Sequence, residues 1–104
     1  MNKIDLLKSY LEETPDDPFL HFALAKEYEN AGELKTAIEK YEYLICNHTD
    51  YVGTYYHAGK IYEKISNHGR AIECYDLGLK QAYKAGDRHS ASELEEAKAL
   101  CIGR

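Results

Sequence analysis

Proline, cysteine, basic charge and long apolar runs are all scarce in this chain of 104 residues, and each scarcity closes off a class of function. Only two prolines and no low-complexity tract, with 44% hydrophobic and 30% charged residues, describe an ordered globular chain of one domain at most. No stretch approaches the roughly 20 apolar residues of a membrane span. The opening residues are interrupted by Lys3, Asp5, Lys8 and Glu12, so no signal peptide is read there. A cytoplasmic protein without a membrane partner is expected. The three cysteines, Cys46, Cys74 and Cys101, are odd in number, which argues against a disulfide framework and for reduced, mostly packed thiols. Net charge is -5; the first 50 residues carry five basic and eleven acidic side chains, the remainder eight and seven. Neither half supplies the dense basic face of a nucleic-acid binder, so no nucleic-acid partner is expected.

What the chain does have is a repeat. Residues 26–41 superimpose on residues 60–75, so that Lys26, Tyr28, Glu29, Ala37, Ile38, Glu39 and Tyr41 fall on Lys60, Tyr62, Glu63, Ala71, Ile72, Glu73 and Tyr75, a period of 34. A fixed period of that length marks stacked units that cannot bury their apolar faces alone. Within each unit the apolar spacing is helical: Leu20, Leu24 and Tyr28 form one stripe, and Ala37, Ile38, Tyr41, Leu44 and Ile45 another after a break at Gly32. Tyr55, Ala58, Gly59 and Tyr62, then Ala71, Ile72, Tyr75 and Leu79, repeat the plan after a break around Ser66 to Gly69.

In this pattern the chain resembles the tetratricopeptide repeat family. The family's signature places are held by His21, Leu24, Ala25, Tyr28, Ala37, Tyr41 and Thr49 in the first unit, and by Tyr55, Ala58, Gly59, Tyr62, Ala71, Tyr75 and Tyr83 in the second. His21 in place of the aromatic, Ala58 in place of leucine, and the missing closing prolines depart from it. Leu7, Leu11 and Pro15 precede Tyr41, Ile45 and Thr49 by one period, so residues 3–14 resemble the second helix of a unit without its first. The fold implied is all-α, a right-handed solenoid of antiparallel helix pairs: a half-repeat helix at 3–14, repeats at 18–50 and 51–85, and a solvating cap at 88–101. The six expected helices cover 3–14, 18–30, 34–47, 51–64, 68–85 and 88–101. Ser90 and Glu93 have the spacing of a capping box for the last. On that helix Ala91, Leu94, Ala97 and Cys101 face inward, while Glu95, Glu96 and Lys98 turn away.

The resemblance also implies a function. First helices of successive family units line a concave groove, and the positions carried over are Phe22, Lys26, Glu29 and Asn30, then Tyr56, His57, Lys60, Glu63 and Lys64, with Phe19 at the rim. The implied activity is non-enzymatic binding of a peptide segment, with Phe22 and Tyr56 as apolar anchors and Lys26 and Lys60 as cations for an acidic side chain. Chaperone-binding members clamp a terminal carboxylate with lysine and asparagine. Phe22, Lys26 and His57 occupy those places here, so that activity is not implied. The alternative is an assembly piece that docks through exposed helical ends, with Ile4 and Leu7 supporting a weak homodimer.

No chemistry competes with this reading. Gly53 to Lys60 has five residues between its glycines and Ile61 after the lysine, which does not fit a phosphate-binding loop. The five histidines include no pair at i, i+4. Cys46, His48 and Asp50 crowd a turn, read as a packed thiol beside solvated groups and not as a metal site. Neighbouring carboxylates such as Glu12 and Glu13 diverge by about 100° on a helix. No enzyme activity, metal or cofactor is expected.

Overall fold

A period of 34 leaves room for two helices and two short turns, and the computed structural model, which describes residues 2–103, contains six α-helices joined by short turns. They are α1 (Lys3–Glu13), α2 (Pro18–Asn30), α3 (Leu34–Asn47), α4 (Gly53–Lys64), α5 (His68–Ala85) and α6 (Arg88–Ile102), and no strand occurs among the described residues. Turns this short make the two helices of a pair, α2 with α3 and α4 with α5, run antiparallel. The chain divides into two compact units, one ending at His48 and the other beginning at Thr49. In the first, α2 packs against both α1 and α3; in the second, α5 packs against both α4 and α6.

Local chemistry sets the helix ends. Asn2 caps α1 by accepting from the Asp5 amide, and Asp17 caps α2 from Phe19 with Pro18 opening the helix. Three helices end in the same reversal: the amide of Glu33 donates to the Tyr28 carbonyl at 2.9 Å, Asn67 to Tyr62 at 2.8 Å and Asp87 to Ala82 at 2.9 Å. Each reversal needs one left-handed residue, supplied by Gly32, Ser66 and Gly86.

One helix start, one break and one cap differ from expectation. α4 begins at Gly53, because Val52 provides no side-chain cap and the chain tightens first through Thr54 to Tyr51 and Tyr55 to Val52 bonds. The break before α5 is confined to residues 65–67, with Asn67 capping the Arg70 amide and Gly69 already helical. The cap of α6 lies three residues earlier than Ser90. Asp87 accepts from the Ser90 amide at 3.0 Å and from its hydroxyl at 2.7 Å, and these bonds hold the Asp87 carboxyl below its ordinary pKa.

Leu24, Ala25, Ala37, Tyr41 and Leu44 fill the first unit's core; Tyr55, Ala58, Ile61, Ala71, Cys74, Tyr75, Ala82 and Leu94 fill the second's. α1 has no buried residue, and its Ile4, Leu7 and Leu11 are half-covered. Cys74 and Cys101 are packed as expected, but Cys46 is exposed. It follows Ile45 on α3 and is turned away from the buried stripe of Ala37, Tyr41, Leu44 and Ile45.

Candidate functional site

The repeat extends from spacing to hydrogen bonding. Tyr41 is fully buried, and its hydroxyl donates to Glu29 Oε1 at 2.9 Å; one period later Tyr75, equally buried, donates to Glu63 Oε2. Burial first, then the adjacent carboxylate, raises both phenol pKa values well above the ordinary tyrosine value. Glu29 and Glu63, expected as groove surface, therefore bind the second helix of their own pair. The Glu63 side chain is only 5% exposed, which rules it out as a solvated charge.

The remaining expected residues divide by unit. In the first, Phe19 is 56% exposed and Asn30 is exposed, whereas Lys26 is half-buried. Phe22 is half-buried too, its ring edge-on to Tyr41 with centroids 6.0 Å apart, so it supports the core on one side while facing outward on the other. In the second, Tyr56 and His57 are half-buried and meet edge to face at 5.8 Å, and Lys64 is exposed. Lys60 lies 5.6 Å from the Tyr56 ring centroid, and its ammonium is 3.9 Å from Glu63.

Two clefts border Tyr56, both walled by α6. One, of about 280 Å³, is lined by Val52, Tyr56, His57, Ser90, Glu93 and Leu94. The other, of about 130 Å³, is lined by Tyr56, Lys60, Glu93, Glu96, Ala97 and Leu100. These α6 residues escaped the sequence reading because α6 looked like a cap, polar on the outside. Glu96 lines a cleft; Glu95 accepts from the Tyr83 hydroxyl; Lys98 pairs with Asp76 at 2.6 Å. The inward set of Ala91, Leu94, Ala97 and Cys101 is buried as expected. A further cleft of about 340 Å³, at the α5–α6 corner, is bounded by Tyr83, Arg88 and Glu95 and contains none of the expected residues. Gly53 to Lys60 lies in α4, apart from any loop that would cradle phosphate.

Helix pairs closed by short turns, with small residues where backbones meet, define a helical-repeat domain of the protein-interaction type. The chain is similar to a tetratricopeptide repeat domain protein from Salinibacter ruber. Against its solution structure the identity is 39%, with 86% of this chain and 90% of that one covered and a TM-score of 0.82. Its crystal structure matches at 39% identity over 84% and 98% of the two chains, with a TM-score of 0.81. A protein of Bordetella parapertussis shares the fold at 20% identity, a TM-score of 0.83 and coverage of 98% and 89%. No family model and no curated protein matches the chain. The chain belongs to the tetratricopeptide repeat family. Its fold class is all-α, and no described helix is long and apolar enough to cross a membrane.

Proposed function

We propose that this is a non-enzymatic interaction module that holds a peptide segment of a partner protein against the first helix of each pair. The observation that supports this most is the matched placement of Phe22 on α2 and Tyr56 on α4, two large rings one period apart that both remain half-exposed. Each has a lysine one turn on, Lys26 and Lys60. Lys26 is the cation that α2 offers to an acidic side chain. On α4 the local charge belongs to α6 as much as to Lys60, since Lys60 leans on Tyr56 and Glu63 while Glu93 and Glu96 border the same ring.

A displayed peptide library selected on the folded chain tests the proposal. Tyr56→Ala and Phe22→Ala should each weaken the selected peptides by about 2 kcal/mol, as aromatic anchors do. Tyr56→Ala should leave the melting temperature nearly unchanged, and Phe22→Ala should lower it modestly because its ring supports Tyr41. Selected peptides indifferent to both substitutions would refute the proposal.

A second reading, assembly through the helical ends, draws on Leu6 and Tyr10 of α1, 40% and 47% exposed, and on Leu100 and Ile102 of α6, 54% and 60% exposed. Light scattering separates the two, because end-driven association, including a weak homodimer through Ile4 and Leu7, proceeds with no peptide added.

A further inference from the structure

We propose that the larger cleft beside Tyr56 receives an arginine side chain of the partner segment, its guanidinium lying on the Tyr56 ring and meeting the Glu93 carboxylate. The inference deepens the reading of α4 as a partner-binding face and rests on it. Three properties of the cleft select this occupant. Its volume of about 280 Å³ suits one long side chain, and Val52, Tyr56 and Leu94 supply apolar wall for an aliphatic stem. Its lining carries the Glu93 carboxylate and, among the described residues, no lysine or arginine.

The Tyr56 ring has cation-accepting geometry already in use, with the Lys60 ammonium 5.6 Å from its centroid, and Lys60 lines the smaller cleft instead. Glu93 is exposed, its side chain 52% accessible, and its Oε1 lies 3.1 Å from His89 Nε2. A carboxylate offers about four lone-pair positions, so a single imidazole contact leaves it able to accept a two-pronged donor. The charged and titratable groups around it are His57 and Lys60 from α4 and His89 and Glu96 from α6. Glu96 adds to the negative field, and Lys60 is partly neutralised by Glu63. An acidic side chain is repelled here. Arginine suits the site better than lysine, because its planar fork matches a carboxylate in two bonds and stacks on an aromatic face.

The test uses the full chain, isotopically labelled, titrated with the blocked pentapeptide Gly-Leu-Arg-Leu-Gly and with its glutamine and glutamate counterparts. The arginine peptide should give saturable shifts at the amides of Tyr56, His57 and Leu94, with an affinity about tenfold above the glutamine peptide, the scale of one charge-assisted contact. Glu93→Gln, an exposed substitution, should remove that preference and leave the helical content and melting temperature unchanged. Equal binding of arginine and glutamine peptides, a preference that survives Glu93→Gln, or no saturable shift at these amides up to the solubility limit overturns the inference. Tyr56-dependent binding of all three peptides alike would overturn the arginine assignment alone. The broader proposal fails only if library-selected peptides also ignore Phe22 and Tyr56.

Discussion

At Gly59 a lone hydrogen faces the Tyr75 ring; a Cβ built there would lie 2.6 Å from the Tyr75 Cζ, inside any real contact distance. Gly78 is the same device in the next helix, its Cβ position 2.5 Å from the Tyr55 Cβ and 3.0 Å from the Leu94 Cδ1. Neither ring can retreat. Tyr75 and Tyr55 are buried, and their hydroxyls are tied to Glu63 and to the Thr49 carbonyl. At Gly69, also helical, an added Cβ would meet only Asn67 Oδ1, at 4.0 Å. One substitution therefore has opposite signs at three sites. Gly69→Ala should gain up to about 1 kcal/mol from helix propensity. Gly59→Ala and Gly78→Ala should lose about 1–3 kcal/mol through overpacking despite the same propensity gain. Urea unfolding of the three variants measures this, and a stabilised Gly59→Ala would show that the helix pair does not pack so closely. Gly59 was legible from the sequence because it fills the family's small-residue place. Gly78 was not, since its reason lies in Tyr55 and Leu94, both distant in the chain.

The helix termini reuse one reversal three times, and the middle one has the wrong residue for it. Ser66 adopts φ 63° where the other two turns place Gly32 at 79° and Gly86 at 70°. A non-glycine residue in the left-handed region pays about 1–2 kcal/mol, whereas added freedom in the unfolded chain offsets about 0.4–1 kcal/mol of any glycine gain. Ser66→Gly should then stabilise the α4–α5 pair by a few tenths to about 1 kcal/mol. Thermal melting checks it; a lower melting temperature would mean that the Ser66 side chain makes a contact worth more than the strain. Helix existence could be read from the chain because apolar spacing is a property of consecutive residues. The ends could be read less well. The cap of α6 is Asp87 and not Ser90 because both residues carry capping chemistry, and Ser90 spends its amide and hydroxyl on the Asp87 carboxylate.

Across the whole molecule the 34-residue period carries a buried phenol bonded to a carboxylate, Tyr41 with Glu29 and Tyr75 with Glu63, once in each compact unit. The sequence placed the two tyrosines in the core from their spacing. It left the two glutamates on the surface, because nothing in a one-dimensional pattern distinguishes a charge facing solvent from one turned toward the next helix. The clefts beside Tyr56 were illegible for a similar reason, being completed by α6, whose relation to α4 exists only in three dimensions. The phenols also give the fold a pH limit whose sign can be worked out. Burial raises both phenol pKa values in the folded state, with the neighbouring carboxylates adding to the shift, while the unfolded chain titrates near the ordinary value of about 10. The stability they contribute is thus complete below about pH 10 and is lost as pH rises further, since only the unfolded state releases these protons readily. On alkaline titration, tyrosinate absorbance from the buried Tyr41 and Tyr75 should appear only together with loss of helical circular dichroism. Tyr75→Phe should weaken the domain at neutral pH by about 1–3 kcal/mol, because the nearly buried Glu63 carboxylate loses the phenol hydrogen bond. The same variant should show a shallower fall in stability above about pH 10, one raised phenol having been removed. Buried tyrosines that ionise gradually near pH 10 while the helices persist would break the link between the Tyr–Glu pairs and the fold.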